Sequence, residues 1–212
     1  MSQPILVFSY VSTWALRAWI ALKQGQVPFE ERIIPWKSPD RRARILQHNP
    51  AGKVPVLLDG DLTVHDSLAI LEYLNENHLG GKLLPAERAA RAVCRSVSAE
   101  MHAGFQALRN TCGVKWERKA EAVPLDDATR SEIERIATLW QSLRRQHQAQ
   151  GPFLFGAWSM ADCMFLPVCQ RFDNYLVDLS PWPETQDYNR MMLALPHFRE
   201  YKRQGEAAAR AG

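Results

Sequence analysis

Three places where the chain enters a helix carry an unusual density of acids and hydroxyls. Asp66-Ser67 stands directly before the apolar run "LAILEYL". A helix start leaves backbone amides without partners and carries partial positive charge, so it receives anions. A carboxylate at the same place either caps those amides itself or accepts a cation. Taken alone, Asp66 with Ser67 reads as the N-cap of the helix that follows. The second place is the turn Ser9-Tyr10-Val11-Ser12-Thr13-Trp14, which leads into "ALRAWIAL" and offers Ser12 as a helix cap. A third, Ser159-Met-Ala-Asp162, precedes "CMFLPVCQRF" and matches a capping box, in which Ser159 accepts from the Asp162 amide and the Asp162 carboxylate reaches back to the Ser159 amide. That role is structural rather than catalytic.

Other residue types speak against several chemistries. The four cysteines, Cys94, Cys112, Cys163 and Cys169, have neither CxxC spacing nor a histidine pattern beside them, so they read as reduced, buried thiols, with no metal expected. Lys and Arg number 26 against 23 Asp and Glu, and the runs "DRRAR" and "RRQH" read as solvated helix faces. No nucleic-acid partner is expected. The N-terminal segment lacks a basic stretch followed by an apolar core, and no window of about 18 apolar residues occurs, so a cytoplasmic, soluble protein without a membrane partner is expected.

The elements that must position these residues follow from periodicity. Ile5 to Phe8 reads as a strand, and Leu16, Trp19, Ile20 and Lys23 fall at helical spacing before Gly25. Residues 29 to 35 form a second strand, closing a βαβ unit with parallel strands. "VPVLL" and "LTVH" flank Asp59-Gly60-Asp61, an antiparallel hairpin signal, and a helix runs from Ser67 toward Gly80-Gly81. "GGKLLPA" reads as a linker. Beyond it, Arg88 to Cys112 and Arg130 to Gln148 are long helical patterns, the latter with Ile133, Ile136, Trp140 and Leu143 on one stripe, and Pro167 is expected to bend or loosen the helix after the capping box. The proline in Val54-Pro55-Val56 is out of character, because proline cannot donate to a sheet ladder.

In this order the elements resemble a cytosolic glutathione transferase, a serine-type bacterial or zeta-like member, over almost the whole length. "SYVSTWALRAWIAL", "NPAGKVPVLLDGDLTVHDSLAILEYL" and "FLFGAWSMADCMFLP" carry the resemblance. It implies an α/β plus all-α fold: an N-terminal thioredoxin-like βαβ-ββα domain over 1–79, a linker at 80–86 and an all-helical domain over 87–212. It also implies a cis Pro55, a glutathione co-substrate without metal, a hydrophobic electrophilic small molecule as second substrate, and a homodimer.

By the same resemblance, Val54 and Pro55 present backbone to the cysteinyl part of glutathione as a short antiparallel strand. Asp66 meets the γ-glutamyl ammonium, while the Ser67 hydroxyl and helix amides meet its carboxylate. Lys53 is the candidate for the glycyl carboxylate, with Trp36 and Lys37 as alternatives. The free thiol, with a pKa of about 8.5, is only slightly ionised at neutral pH and needs a donor aimed at sulfur. Matching "RAWIAL" to serine-type members selects Ser12, with Thr13 as the alternative, since Ser9 and Tyr10 end the strand. The turn lacks the cysteine of disulfide-reducing members and of the zeta pattern, leaving the second substrate open. Phe105, Leu108, Arg109 and Trp116 are candidates for the electrophile pocket, although aromatics at helical spacing also build cores. The activity implied is attack of the glutathione thiolate on an electrophile. The alternatives are a glutathione-dependent isomerase or peroxidase, and a non-catalytic binding protein of the same fold.

Overall fold

The computed structural model describes residues 3–211. Within them two compact units emerge, one formed by residues 3–81 together with 196–211, the other by Lys82–Leu195.

The first unit contains β1 (Ile5–Phe8), α1 (Thr13–Gln24), β2 (Glu30–Ile33), α2 (Arg41–Leu46), β3 (Val56–Asp59), β4 (Leu62–His65) and α3 (Ser67–Asn77). Its sheet has the order β2-β1-β3-β4, with β1 parallel to β2 and antiparallel to β3, the βαβ-ββα arrangement expected. Gly60, at φ 59°, lies in the tight β3–β4 turn, where a side chain would be strained. Alternation along β1 gives the sheet two buried faces. Val7 and Val56 cluster with Ile34 and Ile45, bringing in α2, the short helix that carries the basic run read as a solvated helix face. Leu16, Trp19 and Ile20 of α1 and Ile70, Leu71 and Leu74 of α3 are fully buried where the two helices pack together. Each such side chain contributes roughly 1.5–3 kcal/mol of burial.

The second unit holds α4 (Arg88–Ala103), α5 (Gln106–Thr111), α6 (Asp127–His147), α7 (Met160–Asn174) and α8 (Pro183–Ala194). The α6 stripe Ile133, Ile136, Trp140 and Leu143 is buried as expected. The single helix read from Arg88 to Cys112 is broken: Phe105 sits in the left-handed region at φ 60°, and α5 begins again with its Leu108 amide donating to Glu132 Oε2 at 2.8 Å. The capping box of α7 forms as expected, and the helix continues through Pro167.

The remaining helix, α9 (Pro196–Arg210), belongs to the first unit, which corrects the boundary of a helical domain running to the C-terminus. The physical reason is its buried face of Phe198, Tyr201 and Gly205, of which the Tyr201 ring packs 5.2 Å from that of Trp19. Among the described residues no helix is long and apolar enough to cross a membrane.

Candidate functional site

Strand register brings the expected glutathione residues to one end of the sheet. Val7 pairs with Val56 and Val56 with His65. The turn that leaves β1, the Val54-Pro55 step that enters β3 and the Asp66-Ser67 step that leaves β4 therefore emerge together. Because β1 and β2 are parallel, the segment from Pro35 leaves at the same end. Val54 and Pro55 precede the first paired residue of β3, so the proline removes no ladder hydrogen bond. The Val54–Pro55 bond is cis.

The approach to Val54 is organised by a residue that motif reading passed over. Asn49 is buried, donates from Nδ2 to the Lys53 carbonyl at 2.8 Å and accepts from the Ala51 amide at 2.9 Å. The Asn-Pro pair at 49–50 is itself a turn signal that points to it. Lys53 is exposed. Nearby in sequence, Trp36, Lys37, Ser38, Pro39, Arg41 and Arg42 line a basic hollow of about 420 Å³, with the Arg41 guanidinium 4.0 Å from the Trp36 ring centroid.

Ser12 is the N-cap of α1, its Oγ accepting from the Ala15 amide at 3.3 Å. A hydroxyl has one proton and two lone pairs, so the cap leaves the proton for a further acceptor. Thr13 is the first helical residue. Tyr10 is directed elsewhere: it is buried, its hydroxyl donates to Glu31 Oε2, and burial followed by the Glu31 carboxylate raises its pKa.

Asp66 caps α3, with Oδ1 accepting from Leu68 N at 2.8 Å and Ala69 N at 3.4 Å. Its backbone sits at φ 78°, uncommon for a side-chain-bearing residue and costing on the order of 1–3 kcal/mol. Asp66 is exposed, whereas Ser67 is buried and its Oγ accepts from Arg17 Nη1 at 3.4 Å. Arg17 is thus a missed member of this neighbourhood. Its guanidinium is buried behind the start of α3 and also lies 4.3 Å from the Trp14 ring centroid. Its place in "ALRAWIAL" gives no local sign of that burial.

The four residues expected to wall an electrophile pocket have interior roles in the helical unit. Phe105, Leu108 and Trp116 are buried, and Arg109 ties its own turn together, donating to the Gly104 carbonyl at 3.0 Å and to the Met101 carbonyl. The core reading of the three apolar residues accounts for them. Asp162 is likewise structural: its carboxylate accepts from Leu154 N at 3.0 Å, Ser159 N at 2.8 Å, Ser159 Oγ at 2.6 Å and Tyr188 Oη at 2.9 Å. Burial pushes its pKa up, and these hydrogen bonds oppose the shift.

All four cysteines are free and buried, and burial raises their thiol pKa values, that of Cys94 to about 11. They are poor nucleophiles. Among the described residues no group of three or more His, Cys, Asp or Glu is placed to hold a metal.

A thioredoxin-like sheet whose loops converge at one end, followed by a helical unit with a buried capping box, defines the class of fold. The glutathione S-transferase N-terminal domain matches residues 11–77 and the glutathione S-transferase C-terminal domain residues 99–201. A maleylacetoacetate isomerase of Mus musculus is 30% identical over 203 residues, covering 92% of this chain and 90% of its own. That of Rattus norvegicus is 33% identical over 152 residues, covering 71% and 68%. A solved glutathione transferase homolog from Burkholderia, crystallised with bound glutathione, has a TM-score of 0.68 at 24% identity and covers 98% of this chain and all of its own. The chain belongs to the glutathione S-transferase family.

Proposed function

We propose that this protein binds reduced glutathione at the shared end of its N-terminal sheet and uses the glutathione thiolate to attack a hydrophobic electrophile. The observation that carries the reading is the register Val7–Val56–His65, which sets the Ser12 turn, Val54-Pro55 and Asp66-Ser67 at one sheet end. In this reading the Val54 amide and carbonyl pair with the cysteinyl backbone, with Pro55 fixing that step outside the ladder. Asp66 accepts from the γ-glutamyl ammonium. The Ser67 amide, the α3 N-terminus and the positive charge of Arg17 behind it attract the γ-glutamyl carboxylate. Lys53, or the basic segment of Trp36 and Lys37, meets the glycyl carboxylate.

Ser12 then donates its hydroxyl proton as a hydrogen bond to sulfur. Donation favours thiolate over thiol, and the partial positive charge at the start of α1 acts in the same direction. The thiolate forms a C–S bond to the electrophilic carbon while the leaving group departs with the bonding pair. For a conjugated acceptor, a proton instead enters the adjacent carbon. The proximity of the two reactants supplies most of the acceleration. The family's usual pairing of two copies is adopted as well, and a monomer mass by light scattering at micromolar concentration contradicts it.

The names of the mouse and rat relatives favour a second reading within the same chemistry. The thiolate adds to a conjugated cis double bond, the resulting single bond rotates, and elimination of the thiolate returns the trans isomer with glutathione unchanged. Measuring glutathione consumption separates the two. Stoichiometric loss of thiol with a chloro-dinitrobenzene probe supports conjugation. Turnover of a cis-unsaturated diketo acid without thiol loss supports isomerisation, and neither reaction in the presence of bound glutathione contradicts an enzymatic role with both probes.

A further inference from the structure

We propose that Tyr201, on α9, is a positioning residue for the Ser12 turn, its phenol fastening the two backbone carbonyls that frame the turn. The inference rests on the reading of Ser12 as the donor to the glutathione thiol. Tyr201 is buried completely, and its hydroxyl lies 2.8 Å from the Ser12 carbonyl and 3.2 Å from that of Ser9. Both carbonyls already accept one backbone hydrogen bond, Ser9 from the Ser12 amide at 3.0 Å and Ser12 from the Leu16 amide at 3.1 Å. A carbonyl has a second lone pair, and the one phenolic proton is shared between the two that remain. The turn is thereby tied to a residue 189 positions further along the chain.

The surroundings of the ring restrict where that hydroxyl can go. Its centroid lies 5.0 Å from that of Tyr10, 5.2 Å from that of Trp19 and 6.4 Å from that of Phe8. Tyr10 and Trp19 are fixed in turn by the Glu31 carboxylate, which accepts the Tyr10 hydroxyl and, at 2.8 Å, the Trp19 Nε1 proton. Lys23 extends the lock to α9, with its ammonium 3.1 Å from Glu200 and 3.8 Å from Glu31. Burial, with Tyr10 and Glu31 alongside, keeps the Tyr201 phenol protonated, so it remains a donor. The consequence is mechanical. A helix that returns after the whole helical unit holds the backbone from which the Ser12 hydroxyl is aimed, and misplacement of a reacting group by about 1 Å can cost about 10²-fold in rate.

The test uses Tyr201→Phe, which keeps the ring and removes only the hydroxyl, and reads the thiol directly by titrating the thiolate absorbance of glutathione bound to the full-length protein. Ser12→Ala, Tyr188→Phe and the double variant Tyr201→Phe/Ser12→Ala run beside it. Tyr188→Phe removes a buried hydroxyl bonded to Asp162 in the other unit and reports stability loss alone.

The expected result is a bound-thiol pKa raised by about half a unit in Tyr201→Phe, a ~3-fold loss of thiolate at a pH well below that pKa, with glutathione affinity within about twofold. Tyr188→Phe leaves the thiol unmoved. In the Ser12→Ala background Tyr201→Phe adds nothing, because it acts through Ser12. A raised pKa in Ser12→Ala with none in Tyr201→Phe overturns the role of Tyr201 and leaves that of Ser12 standing. An unmoved pKa in Ser12→Ala overturns the reading of Ser12 and the inference with it. A shift in Tyr201→Phe that persists in full in the double variant overturns action through Ser12.

Discussion

Arg17 Nη1 donates to Ser67 Oγ at 3.4 Å, joining two buried side chains 50 positions apart in the chain. The pair sets a guanidinium behind the first turn of α3, where the proposed γ-glutamyl carboxylate docks. Replacing Arg17 by Met retains much of the packing and deletes the charge. The expected outcome is glutathione affinity reduced by roughly 10-fold, within the range for a charge-assisted contact. Calorimetric titration measures it, and an unchanged affinity in a folded variant assigns Arg17 to packing alone.

Ser12→Ala tests the donor at the thiol. Turnover is expected to fall by something like 10²-fold, the scale for losing one donor to a developing or bound anion, while glutathione affinity changes little. The bound-thiol pKa rises, which shifts activity toward alkaline pH. Ser12 also caps α1 through Ala15, so thermal unfolding of the variant is measured alongside. A turnover loss with no change in thiol pKa separates lost stability from lost donation.

Asp162 carries the sharpest stability prediction. Asp162→Ala strands the Leu154 and Ser159 amides and the Tyr188 hydroxyl, all hydrogen-bonded to the carboxylate. Each buried donor left unsatisfied costs about 1–3 kcal/mol, so denaturant unfolding should register a loss of more than about 3 kcal/mol. A loss under about 1 kcal/mol contradicts the account of this capping box.

Acid sensitivity follows from helix caps elsewhere. The Glu87 carboxylate, accepting from the Ala89 and Ala90 amides, and that of Asp126, accepting from Thr129, have pKa values below their ordinary ones because those hydrogen bonds favour the ionised form. A depressed folded pKa contributes stability that is fully present above the unfolded value and lost as pH falls through the folded one. Unfolding free energy should therefore stay level with respect to these groups above about pH 5 and decline below about pH 4. A Glu87→Gln/Asp126→Asn variant should show a shallower decline, and an identical acid slope contradicts the assignment.

What could be read from the sequence was local. Asp59-Gly60 between apolar runs announced the β3–β4 hairpin, and Ser159 with Asp162 announced the capping box, because both are chemistry between near neighbours. Asp66 and Ser67 do stand at a helix start, and register brings that start to the sheet end where the Ser12 turn leaves β1. The features missed are non-local or depend on one backbone angle. Nothing in "PHFREYKRQG" says that Tyr201 returns to Ser9 and Ser12, since its partners lie at the opposite end of the chain. The break between α4 and α5 depends on Phe105 adopting φ 60°, which no helical periodicity reveals. Arg17 hides on a helix whose neighbouring residues are also buried, so its burial beside Ser67 is set by packing rather than by pattern.

The central claim is a glutathione site whose charge recognition runs through Asp66, and calorimetric titration of wild type beside Asp66→Asn addresses it most directly. Asparagine caps helices as well as aspartate and tolerates positive φ, so the substitution removes the charge while keeping the first turn of α3 intact. The account predicts glutathione binding in wild type and a loss of roughly 10- to 100-fold in the variant, the range for a hydrogen bond to a charged group. Equal affinity in the two proteins, or no binding in wild type, contradicts it.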